Sequence, residues 1–548
     1  MLQIKINNEF LDLGQFSITF ELLNPIFNDV GSFSYPFTIP LSPKNRTILQ
    51  YPDRLHKSFV DQKYFDASIY VNGLPWKTGR LILREAGETT VKANFVVGEG
   101  GYFNKINDLN LHELQHSSYS PGSPNLLMFY DIINNKYPDV DFALFYHINE
   151  YLIGDTEIPS YQQQYVDYFK AFNRFSPILY YFSQFNTFMP FVYVNYVIDL
   201  INSTIGVKEK FNALKNDDEL KQLVFANNTS ASRLSNVNNY FHIYSINLRN
   251  HVPHIKVTDF FKVLEETFGL YIIYDDQTNS VSYIFLKDIL NSIPVEIDVK
   301  YKLNSILKND NEDGFLLEVN NELIEELNNI SDLTKYDFKG SVATMADLPA
   351  NAIIDTDLYF VDEELNFYYL GDNYGNWHQA SNIPYAIIQK SPGKRKINYT
   401  ASFIHNLAAV NGNGFLDFGE KRNEIPCSFL FYRGHVNSKS SIGGTDFYLQ
   451  PLGTAYDRHP DFEGQFNYSM LWGGTNGLYE KFHRRPLEFF ANTRKVEFLI
   501  PFTPAQLKMI DFSKIYRFAQ SNWLIDSIKF TVSENRISPA TVTAWKVQ

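Results

Sequence analysis

The segment 31–45, GSFSYPFTIPLSPKN, constrains the fold of this chain more than any other. Its apolar side chains recur at every second position, the spacing of a half-buried strand, at Phe33, Tyr35, Phe37 and Ile39. The interleaved prolines, Pro36 and Pro40, have no backbone N–H, so the strand is expected at a sheet edge or a bulge. Another chain can add to an edge strand with one apolar face. We therefore predict an assembly protein, with Phe33, Tyr35 and Phe37 as candidate interface residues.

Short alternating runs continue through the first hundred residues. They are LQIKI, FSITFEL, FSYPFTI, DASIYV, GRLILREA and TTVKANFVV. The dipeptides Asn-Gly at 72–73 and Ala-Gly at 86–87 are typical of the turns that join strands into hairpins. The pattern predicts a small β-barrel or sandwich over residues 1–100. Residues 101–187 are less regular, and we predict loops with short strands there.

A helical pattern distinguishes residues 188–304. One helix is predicted within 190–207 and another within 257–270, each with an apolar stripe and a glycine at its end. Thr258 is the expected N-cap of the second helix. Two strand-like runs, YIIYDD and SVSYIFL, follow that helix as a hairpin. The sequence therefore predicts an α+β domain in which a helix–hairpin unit occurs twice.

Residues 305–340 are acidic and Asn-rich, and we predict that they connect two domains. Residues 341–380 contain their own strands between polar flanks, which indicates an inserted β-module. Carbohydrates stack on flat aromatic rings, so the module supplies candidate glycan-stacking residues at Tyr368, Tyr374 and Trp377. The alternative, that these rings form the core of the module, stays open.

Residues 381–548 return to strand patterns and predict a C-terminal β-barrel domain. A short helix is expected at 504–509, and a last strand at 540–547. A strand so close to the chain end frays unless it is paired. We therefore expect it to pair near 522–535, with Trp545 buried or at a subunit contact.

Composition narrows the classes of function. A chain of 548 residues is too long for one core, and an aromatic share of 16% favours strands and interfaces. The net charge of −13 argues against a general nucleic-acid binder, although an acidic lumen would let DNA slide past. Cys427 is the only cysteine, so the sequence has no disulfide framework and no cysteine metal site.

Several stretches resemble tail hub proteins of tailed phages that infect Bacteroidota. They are ELLNPIFNDVGSFSYPFTIPLSPKN, FDASIYVNGLPWKTGRLIL, LWGGTNGLYEKFHRRPLEFFANTRKVEFLI, MIDFSKIYRF, NWLIDSIKFTVSEN and ATVTAWKV. The family pattern is an Asn-Pro-(Leu/Ile)-Phe turn, a Pro-Phe-Thr strand and a Tyr-Val-Asn-Gly hairpin. The segment 341–380 also resembles a small β-module of phage tail and fibre proteins. The resemblance implies a mainly β, α+β protein whose barrel domains line a tube, with helix–hairpin units outside.

The resemblance also implies an assembly. Two barrels per chain make a ring of three copies pseudo-six-fold, which matches a six-fold tube. The implied partners are the tail tube or distal tail protein, the tip, spike or receptor-binding proteins, and viral DNA passing through the lumen without specific binding. The implied location is the virion tail, after synthesis in the host bacterial cytoplasm. Neither a cofactor nor a membrane span is expected.

A zinc-protease pattern is the main competing chemistry. His112-Glu113-Leu114-Gln115-His116 matches H-E-x-x-H, in which two histidines on one helix face bind zinc and the glutamate is the general base. The upstream residues NKINDLNL favour a helix weakly, and SSYSPGSP begins directly after the second histidine. We therefore predict that His112, Glu113 and His116 hold no metal and that the protein is not an enzyme.

Paired carboxylates are a second candidate chemistry, because glycosidases use two of them. Adjacent acids occur at Glu265 and Glu266, at Asp275 and Asp276, and at 362–364, and such runs more often occupy turns or solvated faces. The sequence contains no G-x-S-x-G elbow, P-loop or dinucleotide fingerprint. Two alternatives to a tail hub remain, a virion-associated hydrolase of glycan or peptide and a receptor-binding tail fibre protein.

Overall fold

The computed structural model describes sixteen stretches of the chain, together with the isolated strands named below. The stretches are 2–28, 32–54, 64–71, 73–97, 102–103, 105–119, 132–147, 187–226, 246–276, 278–307, 427–439, 447–454, 462–470, 472, 475–533 and 536–548. Strands predominate and helices are few, so the predicted mainly β fold is confirmed. Closure of the sheet into barrels and the predicted domain boundaries stay predictions.

The alternating runs of the first hundred residues are strands, as predicted. Their bounds are β1 Leu2–Ile6, β2 Glu9–Phe10, β3 Ser17–Leu23, β4 Phe33–Ser34, β5 Phe37–Pro40, β6 Tyr64–Val71, β7 Leu74–Ala86 and β8 Thr90–Val97.

The middle of the chain has shorter strands. They are β9 Ser118–Tyr119, β10 Phe142–His147, β11 Phe175–Ser176, β12 Tyr181–Phe182, β13 Thr187–Val192, β14 Lys208–Asn212, β15 Leu223–Phe225, β16 Arg233–Leu234, β17 Phe241–His242, β18 Ile246–Asn247, β19 Leu270–Asp275, β20 Ser280–Phe285, β21 Val295–Glu296, β22 Lys302–Ile306 and β23 Phe315–Asn320.

The remaining strands run to the end of the chain. They are β24 Tyr336–Val342, β25 Ile353–Ile354, β26 Tyr359–Asp362, β27 Phe367–Gly371, β28 Trp377–Asn382, β29 Ile387–Gln389, β30 Arg395–Thr400, β31 Phe429–Lys439, β32 Phe447–Thr454, β33 Arg458–His459, β34 Phe462–Gln465, β35 Lys495–Ile500, β36 Ile515–Phe518, β37 Ser521–Ser533 and β38 Ala540–Val547.

The α-helices that lie wholly within the described residues, apart from one turn at 132–134, are Pro43–Ile48, Val194–Ile205, Val257–Phe268, Leu286–Leu290, Arg484–Asn492 and Pro504–Met509. Short 3₁₀ turns lie at Leu111–Glu113, Leu220–Gln222 and Leu248–His251, and a π-helical turn at Tyr479–His483. Within the described residues, no helix is both long and apolar enough to cross a membrane.

One large sheet contains both ends of the chain. Its strands follow the order β2-β1-β6-β7-β8-β4-β3-β37-β38-β35-β22, and β5, β21 and β36 pair beside this path. The two halves join where β3 pairs antiparallel with β37, from Ser17 opposite Ser533 to Leu23 opposite Ser527. Side chains of both halves share one hydrophobic core. The N- and C-terminal strands are therefore parts of one packed unit.

The strand predicted over residues 33–40 is broken in the middle. β4 lies between β3 and β8, whereas β5 pairs only with β8 among the described strands, so the edge position is confirmed for β5 and wrong for β4. The break falls at Pro36, which has no N–H to give to a ladder. The break also changes the buried face. Ser34 is buried and Tyr35 is exposed, so the prediction that Tyr35 shares a face with Phe37 and Ile39 is wrong.

The two helices predicted within 190–207 and 257–270 are confirmed, and each ends at a glycine with left-handed backbone. β19 and β20 form the predicted hairpin after the second helix. A single strand, β14, follows the first helix and pairs in parallel with β20, so the second helix–hairpin unit was wrongly predicted. The chain turns after β14 because the Asn212 side-chain oxygen accepts a hydrogen bond from the N–H of Leu214. The predicted cap at Thr258 is also wrong: the helix starts at Val257, and its N-cap is the extended residue Lys256, two residues before Thr258.

The helices pack in a second core. Its buried residues come from β10, β13, β15, β31 and both long helices. β31 pairs with β15 and β32, so the strands at 429–454 join the helix-containing part of the molecule. The segment 336–382 forms its own five-stranded sheet in the order β24-β28-β27-β26-β25. In that sheet Tyr336 lies opposite Asn382, so the two ends of the module are adjacent.

The two halves of the large sheet repeat one unit. The N-terminal half contains β6-β7-β8-β5 and then β4 and β3, and the C-terminal half contains β36-β37-β38-β35 and then β22. The pairing registers of the two halves agree. Ile39 of β5 lies opposite Val91 of β8, and Ile500 of β35 lies opposite Ala540 of β38. β3 of the first half therefore corresponds to β22 of the second.

The start of a six-residue helix carries the same pattern in both halves, Ile-Pro-Leu-Ser-Pro at 39–43 and Ile-Pro-Phe-Thr-Pro at 500–504. Ser42 and Thr503 cap these helices. Each accepts a hydrogen bond at 3.2 Å from the N–H three residues later. The repeat is therefore recorded in the sequence as well as in the sheet order.

Candidate assembly surface

The segment 293–307, which we call the apolar strap, carries most of the large hydrophobic side chains exposed on the described residues. They are Ile293, Val295, Tyr301, Leu303 and Ile306. The strap pairs with β36 through β21 at its start and with β35 through β22 at its end. A run of exposed apolar residues on a strand is typical of a protein–protein contact.

Two side chains of the strap face the core side of the sheet and are nevertheless solvent-exposed. Leu303 lies opposite Phe498 and Ile306 lies opposite Val496, and both partners are buried. Residues opposite each other on paired strands point to the same face. Leu303 is 51% exposed and Ile306 is 62% exposed. The core of the large sheet is therefore uncovered along β22.

The strap is held in place by the rest of the sheet. Asn304 Nδ2 and Ser305 Oγ both donate to Glu497 Oε2, at 2.8 and 2.9 Å. Tyr301 packs edge-to-face against Phe498, with 6.1 Å between ring centroids. Gln506, in the helix Pro504–Met509, donates to the carbonyl oxygen of Asp298 at 3.1 Å. Because these contacts fix its geometry, the strap is presented as a formed edge.

The predicted interface residue Tyr35 already bridges the two halves of the sheet. Its hydroxyl donates to Glu21 Oε2 at 2.7 Å and accepts from Lys529 Nζ at 2.8 Å. The hydrogen bond to Tyr35 raises the pKa of Lys529. Phe33 is half-buried beside Tyr35, and Phe37 is buried in the core of its own chain. An interface role for these residues stays a prediction, although burial leaves Phe37 little surface to offer.

Trp545 lies on β38, which pairs with β37 as predicted. Its ring is half-buried and lies 5.7 Å from the ring of Phe27 and 6.4 Å from that of Phe490, measured between centroids. Lys495 Nζ lies 4.9 Å from the ring centroid of Trp545. These contacts belong to the chain itself, and a subunit contact at Trp545 stays a prediction.

The H-E-x-x-H residues do not have the geometry of a zincin helix. Leu111–Glu113 is a single 3₁₀ turn, and Leu114 is already extended. His116 Nε2 lies 2.7 Å from the carbonyl oxygen of Leu111, and burial lowers the pKa of His116. Across the described residues, no three His, Cys, Asp or Glu side chains are grouped to hold a metal ion. The absence of a metal at His112, Glu113 and His116 stays a prediction.

The paired carboxylates are dispersed. Asp276 is buried and accepts hydrogen bonds from the N–H of Thr78 at 2.8 Å and from Lys77 Nζ at 3.3 Å, which ties the β19–β20 hairpin to β7. Burial raises the pKa of Glu266. Asp362 ends β26, and the two acids after it lie outside the described residues. Asp276 therefore has a structural contact.

The structure places two of the three candidate glycan-stacking residues on neighbouring strands. Tyr368 lies in β27 opposite Ala380, and Trp377 begins β28. Five further residues continue the strand after Trp377, so the module extends past residue 380. Tyr374 lies outside the described residues. Glycan binding stays a prediction.

Sequence reasoning missed the apolar strap, although a signal was present. The two Ile-Pro-x-(Ser/Thr)-Pro segments at 39–43 and 500–504 mark equivalent points of the repeat. These two segments indicate that β35 corresponds to β4 and β5. The strand beside β35, which is β22, then corresponds to β3, the strand beside β4.

Comparisons with known proteins give likenesses to solved structures alone. No protein-family model and no curated protein matches the chain. The prophage MuSo2 43 kDa tail protein from Shewanella oneidensis is 7% identical with a TM-score of 0.33, over 99% of this chain and 97% of that one. The tail protein from Neisseria meningitidis MC58 is 6% identical, with a TM-score of 0.30 and coverages of 99% and 95%.

A third structure, prophage tail protein gp18 from Listeria monocytogenes EGD-e, is 7% identical with a TM-score of 0.32. The match covers 99% of this chain and 94% of that chain. Likeness at such low identity and TM-score does not by itself establish a fold or a function.

Proposed function

We propose that this protein is a structural subunit of a phage tail, a hub that closes the distal end of the tail tube. It would seat the tip, spike or receptor-binding proteins. The proposal is supported by the resemblance of the N- and C-terminal stretches to tail hub proteins. It assigns the molecule a geometric task and no catalytic one.

One observation carries the proposal. The stretches that resemble hub proteins lie far apart in the sequence, at 21–45, 65–83, 471–500, 509–518, 522–535 and 540–547, and the fold brings strands from all of them into one sheet. They supply β3 to β7 on one side of the β3–β37 junction and β35 to β38 on the other. Every stretch that resembles hub proteins therefore contributes at least one strand to one sheet, and the part of 471–500 before β35 packs in the second core through Trp472, Leu478 and Phe482.

The repeated unit supports a ring. A contact between two different surfaces of identical chains generates a ring when its rotation closes. Two similar sheet halves per chain give a ring of three copies six similar units, which suits a six-fold tube. An acidic chain, with a net charge of −13, also suits a channel through which DNA moves without binding.

The test is the size and shape of the full-length protein in solution. Multi-angle light scattering should give three times the chain mass of 63.6 kDa. Negative-stain images of the same fraction should show a ring with a central opening. Antibody labelling of virions should mark the end of the tail distal to the head. A monomer at high concentration, together with label elsewhere on the virion, would contradict the proposal.

A further inference from the structure

The outer edge of β22 corresponds to the outer edge of β3, yet among the described strands only β3 has a partner there. β3 pairs with β4 on one side and with β37 on the other. β22 pairs with β35 on one side and is the last strand of the sheet path among the described residues. Each half therefore has the same edge, and one of the two edges is covered.

Burial of equivalent residues shows what the missing partner would do. Val91 of β8 corresponds to Ala540 of β38, so Val96 and Trp545, five residues further along each strand, also correspond. Phe33 lies opposite Val96 and Lys495 lies opposite Trp545, which makes Phe33 and Lys495 equivalent in the repeat. Phe20, opposite the residue after Phe33, is then equivalent to Ile306, opposite the residue after Lys495. Phe20 is 0% exposed.

Phe20 is buried because β37 lies beside it, and its ring stacks on Phe530 at 5.8 Å between centroids. Ile306 is 62% exposed on the same face of an equivalent strand. A strand placed beside β22 as β37 is placed beside β3 would bury it.

The counterpart of β37 in the N-terminal half is β7, and part of its edge has no partner among the described strands. Both strands have 13 residues. On its β6 side, β7 is paired from Leu74 to Ile82, which leaves residues 83–86 without a partner strand on that side in the described part of the chain. β37 pairs with both β36 and β3 along the same edge, and β36 is the counterpart of β6.

We propose that the end of β22 in one copy pairs antiparallel with the end of β7 in a second copy of this chain, Ile306 with Ala86 and Leu307 with Glu85. The contact would repeat between chains the part of the β3–β37 junction in which Phe20 lies opposite Phe530 and Glu21 lies opposite Lys529. Alternation of the two junctions gives a continuous sheet around a closed ring. This inference rests on the proposed ring and names the strands that join its subunits.

The registers specify which residues meet. Lys92 follows Val91 and Thr541 follows Ala540, so Lys92 and Thr541 are equivalent. Glu85 lies opposite Lys92 and Lys529 lies opposite Thr541, which makes Glu85 and Lys529 equivalent. Lys529 lies opposite Glu21 in the junction within the chain. The equivalent of Glu21 is Leu307, whose N–H donates to the carbonyl oxygen of Lys495 at 3.0 Å. Leu307 of one copy should therefore lie opposite Glu85 of the next.

Cysteine cross-linking tests this pair directly. Opposed residues of antiparallel strands are close enough for a disulfide, and the native Cys427 is buried and does not compete. The double variant Leu307→Cys/Glu85→Cys should form a ladder up to the trimer on a non-reducing gel after mild oxidation. The matched control Leu307→Cys/Glu9→Cys has its second cysteine on exposed β2, at the other end of the sheet, and should form no ladder.

A charge substitution gives an independent readout. Ile306→Lys should convert the trimer to a monomer at micromolar concentration. The substitution should leave the melting temperature of the monomer unchanged, because Ile306 is exposed in the single chain. Ile293→Lys, at a more exposed residue that lies outside the paired strands, should leave the trimer intact.

The outcomes separate the two proposals. A wild-type chain that is monomeric both in solution and in virions overturns the ring and the junction together. A wild-type trimer that persists in Ile306→Lys and gives no ladder with Leu307→Cys/Glu85→Cys overturns the junction and leaves the ring.

Discussion

The side-chain amide of Asn24 donates a hydrogen bond to the backbone carbonyl of Ile525 at 2.7 Å, between residues 501 positions apart. Asn24 is fully buried. Its side-chain oxygen accepts from the N–H of Ile26 at 3.0 Å, and its own N–H donates to the carbonyl oxygen of Asp526 at 2.8 Å. The Asn-Pro turn after β3 therefore joins the two halves of the sheet through one residue.

Replacing Asn24 with alanine should destabilise the protein. The substitution leaves the Ile525 carbonyl and the Ile26 N–H buried without this partner, and buried groups that lose their partner cost about 1–3 kcal/mol. Urea denaturation followed by tryptophan fluorescence measures the change. Asn492→Ala is the matched control, because that amide bonds the carbonyl of Glu488 on an exposed helix end. Equal stability losses in the two variants would contradict the role given to Asn24.

Removing the small β-module should leave the rest of the protein folded. β24 starts at Tyr336 and β28 ends at Asn382, and these two residues are paired. A short Gly/Ser linker in place of 336–382 therefore joins adjacent ends. The deletion should be soluble and keep the oligomer mass of the full chain, measured by light scattering. Aggregation would show that the module packs into a larger core.

The narrower deletion of 341–380 is the informative comparison for that experiment. Those bounds, which the sequence pattern suggested, cut through β24 and β28 and leave unpaired strand ends. We expect lower solubility from this deletion than from the wider one. Reversed solubilities would mean that the first residues of β24 belong to the connector.

The strands and helices were the predictable part of the fold. Period-two runs and glycine-terminated apolar stripes are local signals, and they gave β1, β3, β6, β7 and β8 and both long helices. The pairing of β3 with β37 was not predictable in this way, since it joins residues more than 500 positions apart. The position of β31 beside β15 is a similar long-range pairing.

The sequence predicted that the candidate surface is an exposed strand edge, but it did not predict which strand forms that edge. The prolines of 33–40 indicated an edge, and β5 lies at one. The exposed edge that now carries the proposal is β22, whose sequence Lys-Leu-Asn-Ser-Ile has no clear alternation. Its exposure follows from the absence of a neighbour beside Leu303 and Ile306 among the described strands, and no local sequence pattern indicates that absence. Only the repeat of the whole unit identifies the missing neighbour.

Acid should destabilise the protein through His435. Burial, assisted by the positive charge of Lys136, lowers the pKa of His435 to about 3, and its Nδ1 lies 2.7 Å from the Tyr432 hydroxyl. In the unfolded chain the pKa is about 6.5. Between these values the unfolded state binds a proton that the folded state does not. The free energy of unfolding therefore falls as the pH falls below about 6.5.

The measurement compares melting temperatures at pH 7 and pH 5 for the wild type and for His435→Gln, whose side chain does not titrate. The decrease in melting temperature from pH 7 to pH 5 should be smaller in the variant than in the wild type. Parallel losses in both proteins would show that His435 is protonated in the folded state or does not contribute.

The C-terminal strand β38 is central to the sheet. It pairs with β37 on one side and with β35 on the other. Its residues Ala540, Val542, Ala544 and Val547 are buried. Without it, β35 and β22 lose the strand that connects them to β37, and the strap keeps a strand connection to β37 only through β21 and β36 among the described strands.

Removal of residues 541–548 should therefore prevent folding of the large sheet. Truncating a fully buried aromatic side chain costs about 3–5 kcal/mol, and total stabilities are about 5–15 kcal/mol, so losing several buried apolar residues and the half-buried Trp545 exceeds a typical margin. Size-exclusion chromatography and near-ultraviolet circular dichroism should show an aggregated or molten chain. Deletion of Gln548 alone is the control, since it removes two exposed hydrogen bonds, to Arg485 and Asn492, and should leave the spectrum unchanged. A chain ending at residue 540 that keeps both the spectrum and the oligomer would show that β35 and β37 hold their places without β38, and with them the surface on β22.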